Sequence, residues 1–148
     1  MTFRLLISEK DYVLSVRLDK VWVERARLQG GASALLPAHG EVTDYHLEVA
    51  IQRAEDWISP CVLSMRGEVL EVADDTGRLI DGLHVVLAAD ERVWPVEALE
   101  ERFRSVVDLA TGRFVPEALK TRSAFIADLL LVREIAHHGR VSEILLTE

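Results

Sequence analysis

At 148 residues, about half of them apolar, the chain can bury a core of ordinary domain size and lies outside the disordered class. Its formal net charge of −8 argues against a nucleic-acid partner, which needs Lys and Arg to neutralise phosphates. Cys61 is the lone cysteine, which excludes an intrachain disulfide and a cysteine-based zinc site, and charges break every apolar run well short of the roughly 18 residues of a membrane span.

In chain order, "FRLLIS" (Phe3 to Ser8) reads as a strand, "EKD" as a turn, and "YVLSVRLDKVWVERARL" as two strands or one bulged strand, because the apolar parity switches at Asp19-Lys20. The stretch "GASALLPAHGEVT", Gly31 to Thr43, reads as a sharp loop. Its glycines, with Gly30, permit tight geometry, and Pro37 removes a ladder donor. "HLEVAIQR" alternates Leu47, Val49 and Ile51 with polar or small residues, which favours a strand. Leu47, Ala50, Ile51, Ala54 and Ile58 also fit a helical face that Thr43 or Asp44 could cap, but the alternation and the pre-proline Ser59 tip the reading toward strands.

"WISPCVLSMRGEVLEV" and "DDTGRLIDGLHVVLAAD" continue the β pattern, with "DDTG" and "DG" as turn chemistry. Past Val93 the period becomes helical. Leu99, Phe103, Val106, Val107 and Ala110 make one stripe that Gly112 ends. A second helix runs from Pro116 through Leu119, Ile126, Leu130 and Val132 to about His137, His138 and Gly139, the histidines complementing the dipole's negative end. The tail "VSEILLTE" is left unassigned. The expected architecture is a mainly antiparallel β-sandwich over residues 1–91, followed by a C-terminal α-helical hairpin over residues 92–148.

No G-x-S-x-G, P-loop or H-E-x-x-H pattern is present, and Ser33 has no assignable base. His39, Asp44 and His46 are close in sequence, and on a strand Asp44 and His46 would share a face, so a small metal-dependent enzyme is one reading. A loop histidine bonded to backbone is the plainer one. Trp22, Trp57 and Trp94 suit either core or interface.

The ordered set "VWV" at 21 to 23, then Gly31, Leu36, Pro37, His39 and Thr43, then "VLSMRGEVLEV" (Val62 to Val72) and "HVVLAADE" (His84 to Glu91), resembles the ε subunit of F-type rotary ATPases or its sodium-type variant. Ala34 and "MRGE" stand where that family has glycines. The resemblance implies a non-catalytic central-stalk subunit that couples rotation between the catalytic hexamer and the membrane c-ring. It would need no cofactor and would sit at the cytoplasmic face of the membrane through its complex. Its partners would be the γ subunit and the c-ring, with Gln29, Gly30, Gly31 and Ala32 as the ring or stalk contact. The helices would reach toward the α/β hexamer through Arg122 and Arg133 and could restrain ATP hydrolysis. An ATP-binding D-x-x-R-A element is missing, since three leucines follow Asp128. A stand-alone adaptor with the same architecture is the alternative.

Overall fold

A computed structural model describes residues 2–61 and 65–147. Among these, six strands form one mixed sheet in the order β3-β2-β1-β4-β6-β5, with five α-helices. The chain is therefore an α/β protein, not a β-sandwich followed by a helical hairpin. Three elements account for the correction.

Strands β1 (Thr2–Ile7), β2 (Asp11–Leu18) and β3 (Val21–Gln29) form an antiparallel meander. Asp19 and Lys20 both take positive φ, 48° and 68°, the two-residue hairpin geometry whose twist matches its strands. The segment 44–58 then forms helix α1 (Asp44–Ile58), where strands were expected. Thr43 Oγ1 accepts the His46 amide while His46 Nδ1 accepts the Thr43 amide, closing a capping box. Leu47, Ala50, Ala54 and Ile58 go into the core, whereas Val49 and Ile51, the alternating positions, stay half-exposed. The helical period therefore prevails over the strand period.

Strand β4 (Val69–Asp74) lies parallel to β1 and is followed by α2 (Arg78–Leu87), where further strand was expected. The expected run from Val62 is described only from Met65, residues 62–64 lying outside the described residues. Asp81-Gly82, read as a turn, sits inside α2. Gly82 packs against the Phe125 ring so closely that a Cβ there would overlap it.

Strand β5 (Val93–Pro95) leads into α3 (Val96–Thr111), and α4 (Glu117–Lys120) precedes α5 (Ser123–Gly139). α5 is not one arm of a detachable hairpin. Twelve of its residues are buried, as expected of a helix apolar on almost all sides, and it packs against α1, α2 and α3. The tail becomes β6 (Glu143–Thr147), inserted between β4 and β5.

Phe3, Leu5, Ile7, Tyr12, Leu14, Val16, Leu70, Val72, Ile144, Leu146 and Trp94 share one sheet face by register, and all are buried in the core that the helices cover. At about 1.5 to 3 kcal/mol per large apolar side chain, this face and the α5 residues above it are the main source of stability. Among the described residues, no helix is long and apolar enough to cross a membrane.

Candidate functional site

β1 and β4 are parallel neighbours whose carboxyl ends meet at the pair Ile7–Asp74. In open α/β sheets, ligands bind in the crevice outside the carboxyl ends of such strands. Two turns form that edge here, Ser8-Glu9-Lys10 after β1 and Asp74-Asp75-Thr76-Gly77 after β4.

The second turn is organised by one buried carboxylate. Asp74, 3% exposed, accepts through Oδ1 from the Thr76 amide (3.2 Å), the Thr76 hydroxyl (2.7 Å) and the Gly77 amide (3.0 Å). Through Oδ2 it accepts from the Leu79 and Ile80 amides at 2.9 and 3.2 Å. These are the orphan donors of the α2 N-terminus, where negative charge is favoured. Gly77 takes φ 73°, which lets the chain enter the helix directly over that carboxylate.

Arg78, the first residue of α2, points inward. Its Nε and Nη2 donate to Asp128 Oδ2 and Oδ1 of α5 at 2.8 and 2.9 Å, a bidentate pair, and the Tyr12 hydroxyl donates to the same Oδ1 at 2.5 Å. Asp128 has no exposed surface. Burial pushes its carboxyl up to about 6 against the pull of Arg78 and Tyr12. Burial, together with the Asp128 charge, also drives the Tyr12 phenol well above its usual range. The network ties β2, α2 and α5 together directly beneath the strand-end crevice. Glu9 of the first turn lies 3.6 Å from Arg78 Nη1.

Two cavities flank this centre. The larger, about 630 Å³, is lined by Asp74, Asp75, Thr76, Gly77, Ile80, Asp81, His84, Asp90 and Arg92. Within it His84 Nδ1 and Asp90 Oδ1 are 2.6 Å apart, both side chains largely exposed. The smaller, about 230 Å³, lies between Glu9, Gly30, Ser33, Leu36, Arg78, Thr121 and Ser123. Elsewhere Glu55, Glu134 and His138 gather at the α1–α5 contact, the one trio of potential metal ligands among the described residues.

The residues expected from sequence have other placements. Gln29 ends β3, Gly30 and Gly31 take positive φ before and within a short 3₁₀ turn (Gly31–Ala34), and Ala32 is buried. Gly30, Ala32 and Leu36 border the smaller cavity, while Pro37 and His39 are exposed. Thr43 caps α1, Asp44 begins it, and His46 has its Nδ1 engaged in the cap, so His39, Asp44 and His46 do not assemble. Arg122 donates to the Ala118 carbonyl and to Asp81. Arg133 is held by Glu100 at 2.9 and 3.0 Å and by Glu134 at 2.6 Å. Both arginines are engaged within the chain.

Sequence reasoning missed Tyr12, Asp74, Arg78, His84, Asp90 and Asp128. "DDTGR" was visible only as turn residues, and Asp128 only as a failed nucleotide motif. The i, i+4 spacing of Glu134 and His138 was legible, but their partner Glu55 lies 79 positions before Glu134.

The sequence matches no protein-family model and no curated protein. In three dimensions it is similar to solved structures. One is the Aquifex aeolicus member of the Ppx/GppA protein family, at TM-score 0.70 and 10% identity, covering 99% of this chain and 52% of that one. A second structure, the type II variant of the Aquifex aeolicus Ppx/GppA phosphatase, gives 0.68 and 9%, covering 99% and 53%. An exopolyphosphatase from Cytophaga hutchinsonii gives 0.68 and 10%, again covering 99% and 53%. The chain spans about half the length of these structures. At such identity the likeness is one of fold, and it overturns the ε-subunit resemblance. An α/β fold of this kind is not a rotor-stalk sandwich, so the non-catalytic coupling role, ion transport, and the γ, c-ring and hexamer partners fall with it.

Proposed function

We propose that the chain forms one lobe of a phosphatase-type enzyme that takes a phosphate ester or anhydride over the carboxyl ends of β1 and β4. The carrying observation is the fold it shares, over 99% of its length, with structures described as a Ppx/GppA family member, a Ppx/GppA phosphatase and an exopolyphosphatase. The larger cavity lies at that same strand end. A second lobe of similar size, on the same or another polypeptide, would add a facing wall to a cavity whose base and strand-end turn already lie on this one, so basal turnover belongs to this lobe alone.

His84 and Asp90 fit the role of base and orienting group. With Nδ1–H donated to Asp90, the imidazole keeps Nε2 free to take a proton from water as its oxygen attacks phosphorus and the leaving P–O bond breaks. Asp74 is already saturated by backbone donors and serves to hold the turn. The other lining carboxylates, Asp75, Asp81 and Asp90, repel a phosphate. Arg78 is already engaged by Asp128, so the phosphate's charge must be offset by Arg92 and by cations arriving with the substrate.

The test is phosphate release from p-nitrophenyl phosphate and from inorganic polyphosphate, with and without Mg²⁺. The wild-type chain is expected to release phosphate, and His84→Asn to lower kcat by about 10²-fold, the worth of a positioned base, with an unchanged circular dichroism spectrum. Wild type and variant equal at background on both substrates would sink the reading.

A further inference from the structure

We propose that Glu55, Glu134 and His138 bind a divalent first-row transition-metal ion, Zn²⁺ foremost, between α1 and α5. Glu134 and His138 stand one helical turn apart on α5, so their side chains share a face, and Glu55 meets them from α1. The three candidate ligand atoms all lie within 4.8 Å of one another.

The decisive feature is Glu134. Its side chain has no exposed surface, and its Oε2 makes no hydrogen bond although it faces His138 Nε2 at 3.3 Å. A fully buried carboxylate oxygen without a partner has given up its hydration for nothing in return, so it calls for a cation. Arg133 supplies one on the other side only, donating to Oε1 at 2.6 Å. That bond fixes the carboxylate and leaves the lone pairs of Oε2 directed at the cluster, as an outer partner does for a metal ligand.

The distances separate a metal site from a simple ion pair. His138 Nε2 lies 3.4 Å from Glu55 Oε1 and 3.3 Å from Glu134 Oε2. Charge-assisted N–H···O bonds are shorter, about 2.7 to 2.9 Å. Ligands at about 2.0 to 2.2 Å from a tetrahedral zinc are separated by about 3.4 Å, the spacing of both carboxylates from His138 here. Imidazole with carboxylates suits Zn²⁺ rather than Mg²⁺ or Ca²⁺, which take oxygen shells of six or more. Glu55 and His138 are each about one-third exposed, 36% and 32%, so an ion can reach the site and a water can complete its coordination.

The experiment uses the full chain, stripped with a chelator and titrated with Zn²⁺ by calorimetry and with Co²⁺ by visible absorbance. One ion per chain is expected, with the intense d–d bands of tetrahedral cobalt and a higher Tm in excess Zn²⁺. His138→Ala and Glu55→Gln, both at partly exposed positions, are expected to weaken binding at least tenfold, and His137→Ala, one residue away, to leave it unchanged. Absence of a one-to-one Zn²⁺ isotherm overturns the proposal. So does His138→Ala binding like wild type, or His137→Ala losing as much as His138→Ala, which would mean adventitious capture by the paired histidines.

Discussion

Asp128 has no solvent to keep it ionised, so its protonation and its bonds are one question. Burial raises its folded carboxyl to about 6, against about 3.9 for an aspartate in the unfolded chain. The folded state holds this proton more tightly. The stability contributed by this group is therefore complete below about pH 4 and is lost as the pH rises through about 6. A ¹³C NMR titration of the carboxyl is expected to give a midpoint close to 6, and a midpoint below 3.9 would mean that Arg78 outweighs burial. The same residue makes Tyr12→Phe costly. Removing the 2.5 Å hydroxyl donor leaves a buried oxygen with one partner fewer, a loss of about 1 to 3 kcal/mol that should appear as a lower urea midpoint. None of this was legible locally, because Tyr12, Arg78 and Asp128 are 116 and 50 positions apart and only the fold brings them together.

Elements carry their own tests. Gly82→Ala adds a methyl to α2 where the Phe125 ring of α5 already sits. Overpacking of about 1 to 3 kcal/mol is expected by thermal or chemical denaturation, despite alanine's better helix propensity. Thr43→Ala breaks the reciprocal cap of α1 and should cost about 1 kcal/mol in the same measurement. The helical stripe of α1 was readable in Leu47, Ala50, Ala54 and Ile58. It lost to the strand reading because Leu47, Val49 and Ile51 satisfy period two over six residues, too short a window to separate the two periods. The β-branched "HVVL" of α2 misled for a different reason. A weak β preference is overridden by Asp74, which caps the helix from four positions before its first residue, inside a stretch read only as a turn. The start and end of α3 were legible because its stripe is long and Gly112 stops it.

At the scale of the molecule, the C-terminal end added to the misreading of α1 and α2. "SEILLTE" is a short apolar run that periodicity cannot assign, yet as β6 it lies in the sheet interior between β4 and β5. The even burial of α5 left a helix without the one-sided pattern that sequence reasoning relies on. Both segments pair with or cover strands from the first half. We therefore expect one cooperative urea transition for the full chain, the same by circular dichroism and by the fluorescence of Trp22, Trp57 and Trp94. A fragment of residues 1–91 would expose the β4 edge and strip Arg78 and Tyr12 of Asp128, so it is expected not to fold. A fragment with its own sharp transition would instead establish residue 91 as a domain boundary.

The five donors gathered by Asp74 bear on timing as well as on geometry. Because that carboxylate fills the α2 N-terminus from within, the β4–α2 turn does not wait for a ligand to take shape. A ligand arriving at the strand ends meets a finished wall, and its binding free energy is not drawn down by ordering one. The amides of Gly77, Leu79 and Ile80 should exchange with deuterium slowly in the free protein, and hardly more slowly once a phosphate compound is bound.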